Sequence, residues 1–227
     1  MAERLERLIS ERRIRARTAA LARRIDDDYR GKQLSLVIVL KGAVLFAADL
    51  MRHITIPCTT DFIAAASYGE GTRSSGNVAL GAADGLAVGG RHVLVVEDIL
   101  DTGRTSTAVL ASLRAREPAS LALCALLRKP AASALDLPVG YVGFDIPPDF
   151  VVGWGMDYAE RYRNLRGVYR LILAGDPVLS NRRANRAAAV SRARSDRQAA
   201  IYPPTGAAAP CRTGIRNRST TRNNRFQ

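Results

Sequence analysis

The chain predicts an α/β domain built on a doubly wound, mainly parallel sheet, and three observations predict it. Short apolar runs recur along the first 130 residues and alternate with segments whose apolar positions have helical spacing. The best of these runs are apolar without interruption, the pattern of strands covered on both faces. Charged residues gather where the runs end: Lys41 after LVIVL, Glu97 and Asp98 after VLVV, Lys129 beyond LALCALL. In open α/β sheets that edge is where ligands collect.

Taken in order, Ser10 reads as the N-cap of a helix reaching about Tyr29, with Ile14, Leu21 and Ile25 on one face and arginines on the other. Leu34 to Leu40 reads as a buried strand, Ala43 to Arg52 as a helix and Thr59 to Ser67 as a strand. Residues 67–81, SYGEGTRSSGNVALG, hold four glycines among hydroxyl residues and read as a mobile loop with nothing to bury. Val93 to Glu97 is a strand, and Arg104 to Arg116 a helix with Ala108, Leu110, Ala111 and Leu113 on one face. Ser120 to Leu127 is the next strand; Val139 to Phe144, Phe150 to Trp154 and Val168 to Leu173 are short strands after the last clear helix.

The segment VLVVEDILDTGRT, residues 93–105, carries the most chemistry. It reads as a buried strand, two carboxylates where the strand stops, then a small hydroxylic loop opening a helix. A helix N-terminus offers backbone N–H groups and the positive end of the dipole to a phosphate. Thr102, Thr105 and Ser106 add hydroxyl donors, and Gly103 lets the backbone approach closely. Glu97 and Asp98 would repel that phosphate, so they suit the vicinal hydroxyls of a ribose or a divalent metal.

These residues resemble the phosphoribosyl pyrophosphate (PRPP) signature of the type I phosphoribosyltransferases. LVIVLKGAVLF (36–46), SYGEGTRSSG (67–76), LLRKP (126–130) and VGFDIPPDFVVGWGMDYAERYRNL (142–165) narrow the resemblance to the hypoxanthine and hypoxanthine-guanine phosphoribosyltransferases, over residues 4 to about 174. The resemblance implies the type I fold, with a small hood formed by the N-terminal segment and residues from about 128 to 174. It implies transfer of the 5-phosphoribosyl group from PRPP to N9 of hypoxanthine or guanine, with Mg²⁺ as cofactor and a homodimer or homotetramer as the assembly.

The same resemblance assigns roles by residue. Asp101, Thr102, Gly103, Arg104 and Thr105 cradle the 5-phosphate, and Asp101 is the base or proton relay at N7 of the purine. Glu97 and Asp98 hold the ribose hydroxyls and metal-bound water, and Asp157 a second magnesium ion. Lys41, Gly42 and Arg163 bind pyrophosphate, while Ser67 and Tyr68 close over it as part of a lid that excludes water. Lys129 donates to the exocyclic O6, Phe150 stacks on the base and Val151 meets its edge through the backbone. Glu160 and Arg161 read as surface ion pairs. Trp154 stands where the family usually has tyrosine, an exchange that keeps the packing and removes a hydroxyl.

Composition bounds the alternatives. The 227 residues, 47% of them hydrophobic, suffice for one phosphoribosyltransferase domain over residues 1–175. The net charge of +13 is concentrated in residues 176–227, where eleven arginines face two aspartates. That basic tail reads as disordered, and binds nucleic acid weakly if at all. No apolar stretch approaches a membrane span and the start, MAERLERLISERR, is charged throughout, so no membrane association and a cytoplasmic location are expected. Three isolated cysteines suggest neither disulfides nor zinc, with Cys124 a small core residue, and His53 and His92 read as structural or solvated. Two other classes share some of these features: a PRPP-sensing regulator of nucleic acid and a tail-mediated interaction protein. Within the enzyme class, a xanthine preference stays open.

Overall fold

The computed structural model describes residues 3–67, 78–81, 85–133 and 136–173. In chain order the elements are β1 (Glu3–Ser10), α1 (Glu11–Asp28), β2 (Leu34–Leu40), α2 (Val44–His53), β3 (Cys58–Ser67), β4 (Val78–Gly81), β5 (His92–Leu100), α3 (Arg104–Arg114), β6 (Ser120–Arg128), α4 (Pro130–Ser133), β7 (Val139–Asp145), β8 (Val151–Val152) and β9 (Gly167–Leu173). The predicted tail 176–227, Tyr68 and most of the predicted lid lie outside the described residues.

The uninterrupted apolar runs do pair with one another. Six strands form one sheet in the order β4-β3-β2-β5-β6-β7. All neighbours from β3 to β7 are parallel, and β4 alone runs antiparallel on β3. Successive side chains of β5 enter opposite layers: Val93 and Val95 pack with Val109, Leu110 and Leu113 of α3, whereas Leu94 and Val96 pack with Ile14, Leu21 and Ile25 of α1 and Phe46 and Leu50 of α2. That two-sided burial is why the run lacks alternation, and it is the predicted doubly wound α/β architecture.

Four expectations need correction. β5 does not stop at its acids: Glu97 pairs with Ala125, Ile99 with Leu127 and Leu100 with Arg128, so the ladder to β6 carries the strand through them. β7 belongs to the main sheet, parallel to β6, and not to the hood. The hood is an antiparallel sheet of β1, β9 and β8, and β1 was not expected as a strand at all. Finally, the end of the predicted loop, Val78–Gly81, is β4.

Local chemistry fixes the joints. Ser10 occupies the N-cap of α1 in an extended conformation, though its side chain makes no cap bond. Near the other end Asp26, 9% exposed, accepts hydrogen bonds from Thr55 N at 3.0 Å, Thr55 Oγ1 at 2.7 Å and Ile56 N at 3.3 Å. One carboxylate thus ties α1 to the turn between α2 and β3. Cys124 is fully buried, with its thiol pushed up to about 12 by desolvation, and His92 shares a 2.7 Å hydrogen bond with Ser120. Among the described residues no helix is long and apolar enough to cross a membrane.

Replacing Asp26 with Ala strips partly buried backbone N–H groups of their partner, so Asp26→Ala is expected to lose about 1 to 3 kcal/mol of unfolding free energy. Urea denaturation followed by circular dichroism measures it; an unchanged midpoint would show that the tie contributes nothing.

Candidate active site at the carboxyl ends of the strands

A cleft of roughly 700 Å³ opens where β2 and β5 end. Its lining brings together Lys41, Gly42, Glu97, Asp98, residues 101–105, Asp157 and Arg163, which the sequence scatters over more than a hundred positions. Phe150 and Val151 lie outside this lining, and Lys129 reaches it only through Asp101.

The floor is acidic. Glu97 is 4% exposed, and Ser106 in the first turn of α3 donates its hydroxyl to Glu97 Oε2 at 2.5 Å. Burial pushes the Glu97 carboxyl up to about 8 against the pull of that hydrogen bond, with Asp98 adding to the rise. Burial likewise raises Asp98, to about 6; backbone N–H groups and Arg163 draw it down, and Asp157 pushes it up. Ser106, read from sequence as a phosphate donor, therefore spends its hydroxyl on Glu97.

Glycine lets the neighbouring backbone close on this floor. A Cβ built on Gly42 would lie 1.8 Å from Asp98 Oδ2, and one on Gly155, where φ is +102°, would lie 2.0 Å from the Gly42 carbonyl oxygen. A side chain at Gly42 would have to displace the Asp98 carboxylate, and one at Gly155 would meet the backbone of loop 41–42 itself. The Leu40–Lys41 peptide is cis.

Above the floor, Gly103 at φ 72° turns the chain into α3. The first backbone bond of the helix runs from Thr107 N to Gly103 O, and no side chain caps the turn. The positive end of the helix dipole thus faces the cleft beside Thr102 and Thr105. Next to it Lys129, 8% exposed, places Nζ 2.6 Å from Asp101 Oδ2. A buried ammonium with one carboxylate partner keeps donor capacity for a further acceptor.

The hood supplies the opposite wall. Arg163 places Nη2 2.9 Å from Asp157 Oδ1 and 3.1 Å from Glu160 Oε2, and donates through Nη1 to the Gly155 carbonyl at 2.9 Å. Lys41 Nζ stands 3.3 Å from Glu160 Oε1. Glu160, read from sequence as surface, is thus the carboxylate shared by both cations; its three-residue spacing to Arg163 was the available signal. Sequence reasoning also missed Tyr158, which meets the 41% exposed Phe150 edge-on at 5.7 Å. Trp154 takes φ 52°, is buried, and has no hydrogen-bond partner at Nε1 among the described residues.

A family model described as "Phosphoribosyl transferase domain" matches residues 6–161. The hypoxanthine-guanine phosphoribosyltransferase of Mycobacterium avium is 48% identical over 164 residues, covering 70% of this chain and 81% of that protein. The hypoxanthine phosphoribosyltransferase of Salmonella typhimurium is 44% identical over 171 residues, 74% of this chain and 96% of the relative. Among solved structures, a hypoxanthine-guanine phosphoribosyltransferase of Bacillus anthracis aligns with a TM-score of 0.69 at 39% identity, covering 76% of this chain and all (100%) of that one. The hypoxanthine phosphoribosyltransferase of Trypanosoma cruzi in complex with the product IMP aligns with a TM-score of 0.66 at 38% identity, over 72% of this chain and 92% of that one.

The raised Glu97 carboxyl has a thermodynamic signature in the ligand-free protein. Its folded value lies above that of an unfolded chain, so the folded state holds a proton that the unfolded state releases; stability is retained at low pH and lost as pH rises toward 8. Glu97→Gln, which keeps an acceptor for Ser106, is therefore expected to gain on wild type by about 2 kcal/mol between pH 5 and pH 8. Urea titrations at both pH values give the difference, and a pH-independent gap would contradict the burial argument.

Proposed function

The chain belongs to the phosphoribosyl transferase domain family, and on that premise we propose that it makes purine nucleotides by transferring the 5-phosphoribosyl group from PRPP to N9 of hypoxanthine or guanine, releasing pyrophosphate. The Lys129–Asp101 pair carries this reading. A 6-oxopurine presents O6 and N7 side by side, an acceptor for a buried ammonium next to a nitrogen for a carboxylate, and the pair offers both at 2.6 Å from one another. Adenine presents an amino group in place of O6 and would leave the ammonium facing a donor, which costs about 1 to 3 kcal/mol.

The remaining roles follow the cleft. Residues 101–105, at the positive end of α3, receive the 5-phosphate, and Glu97 and Asp98 take the ribose hydroxyls. Lys41, Gly42 and Arg163 take the departing diphosphate, with Ser67 and Tyr68 assigned to the lid. Phe150, exposed beside Tyr158, offers a face to the base, and Val151 its backbone. Asp101 withdraws the proton as N9 becomes glycosylated and charge reaches N7.

Mg²⁺ fits this donor set. Asp98 and Asp157 are hard oxygen donors on the lining of one cleft, and among the described residues no three acidic, histidine or cysteine side chains converge on one point. Asp157, with Asp98, would hold such an ion beside the substrate diphosphate. When bound it neutralises charge on the leaving group. A homodimer or homotetramer belongs to the same proposal, with exposed Val44, Leu45 and Phe62 as apolar surface for it to cover. So does a cytoplasmic location, as both substrates are polar solutes.

Incubation with Mg²⁺, PRPP and hypoxanthine, guanine, xanthine or adenine in separate reactions is expected to yield IMP and GMP and no AMP. AMP formation at a comparable rate, or no nucleotide at all, would overturn the reading. For the base, Asp101→Asn is expected to lower kcat by about 10² to 10³ while PRPP affinity, measured by calorimetry, changes by less than about threefold. Equal losses in both would remove Asp101 from proton transfer.

A further inference from the structure

The hood strand β1 reads as a charged terminus, ERLERLIS, yet Glu3 reaches the loop that carries Arg163 to the cleft, and Glu6 connects through Arg170 of β9 to the segment around Phe150. Glu3 accepts hydrogen bonds from Arg161 Nη2 at 2.6 Å and from the Tyr162 hydroxyl. Those two bonds hold its carboxyl below the ordinary carboxylate range. Tyr162 immediately precedes Arg163, whose guanidinium lines the cleft. Glu6 takes a different partner: its Oε2 accepts from Arg170 Nη1 at 3.0 Å, and Arg170 passes its other terminal nitrogen to Asp149.

Both connections end on segments that need holding. In the loop Asp157 to Arg163, three residues other than glycine take left-handed backbone angles: Ala159 at φ 50°, Glu160 at φ 61° and Tyr162 at φ 78°. Such angles persist only where the surroundings over-determine them. Within the loop the pair Tyr158 and Arg161 exchanges backbone hydrogen bonds at 3.0 and 3.1 Å, and Glu3 adds the outside anchor. On the purine side, Arg170 is 8% exposed and the Asp149 side chain 10% exposed. The ion pair is thus largely out of water, adjacent in sequence to Phe150. Arg170 faces Val151 in the β8–β9 register, and Leu171 N–H donates to the Phe150 carbonyl at 3.0 Å. A buried pair of this kind fixes geometry strongly, because losing one member strands the other charge.

We propose that Glu3 and Glu6 are positioning residues, each for a different half of the reaction. Glu3 sets the loop that carries Asp157, Glu160 and Arg163 toward the diphosphate of PRPP. Glu6, acting through Arg170 and Asp149, sets Phe150 and Val151 against the base. The strand between them is one rigid support, since β1 pairs with β9 from Glu3↔Leu173 to Ser10↔Gly167. This inference rests on the PRPP and oxopurine reading above.

The test uses the full chain with Glu3→Ala, the milder Glu3→Gln, and Glu6→Ala, and two kinds of readout. In steady-state kinetics, Glu3→Ala is expected to raise KM for PRPP about tenfold with KM for hypoxanthine within about twofold, and Glu6→Ala to do the reverse; Glu3→Gln shifts the same way as Glu3→Ala by less. In amide hydrogen exchange, Glu3→Ala accelerates residues 157–163 alone and Glu6→Ala accelerates residues 148–152 alone. Both substrates affected equally by each variant, or exchange raised across the whole domain, would reduce the two glutamates to general stabilisers and overturn the proposal. Should wild type form no nucleotide, the functional reading fails while the exchange pattern still decides whether β1 anchors the two loops separately.

Discussion

The site depends on one close approach, that of the Gly42 backbone to the Asp98 carboxylate on one side and to the Gly155 backbone on the other. A Cβ at Gly42 would enter the Asp98 carboxylate at 1.8 Å, and one at Gly155 would enter the Gly42 carbonyl at 2.0 Å. The end of β2, the acid of β5 and the hood are thereby brought within atomic contact. Without that approach the cations of loop 41 and of the hood would not share Glu160, and the cleft would have no second wall. The acids beneath are costly to ionise where they lie, which is why desolvation raises both. Both carboxyls would ionise more readily beside a divalent cation, the role proposed for magnesium.

Other acids of the cleft are paired within the free protein, and those pairs differ in exposure. Lys41 and Glu160 are both largely exposed, at 70% and 67% of their side chains, so their pair is weak. The Lys129 side chain is 10% exposed and that of its partner Asp101 52%, so that pair, at 2.6 Å, is less screened than the first. On the proposed assignment, the exposed pair lies on the diphosphate side of the cleft and the more buried one on the side of the base.

Most of the main sheet was legible because it is buried on both faces. β2 matches its sequence reading from Leu34 to Leu40, and β3, β5 and β6 were found with ends displaced by a few residues at most. The displaced end of β5 has a physical cause: its ladder to β6 continues beneath acids that look like a strand terminus. β1 escaped because a half-exposed strand with a register shift between Arg7 and Ile9 keeps no clean alternation. β7 was misplaced in the hood since its pattern, broken by Gly140 and Gly143, does not say which sheet it joins. At Gly143 a Cβ would lie 2.3 Å from the Leu126 carbonyl oxygen, a fit against β6 that only the assembled sheet reveals. The candidate site was legible as motifs; Ser106 and Glu160 lay near their partners Glu97 and Arg163 in sequence and were given other roles, whereas the contacts of Glu160 with Lys41, Glu3 with Arg161 and Glu6 with Arg170 join distant segments.

The central claim is that close backbone approach at Gly42 builds the PRPP side of the cleft. Calorimetric titration of Gly42→Ala with Mg²⁺ and PRPP tests it most directly, with circular dichroism confirming the fold. The account predicts PRPP affinity weakened by about tenfold or more in a folded protein, since the added methyl displaces Asp98. A folded Gly42→Ala protein that binds PRPP as tightly as wild type would contradict it.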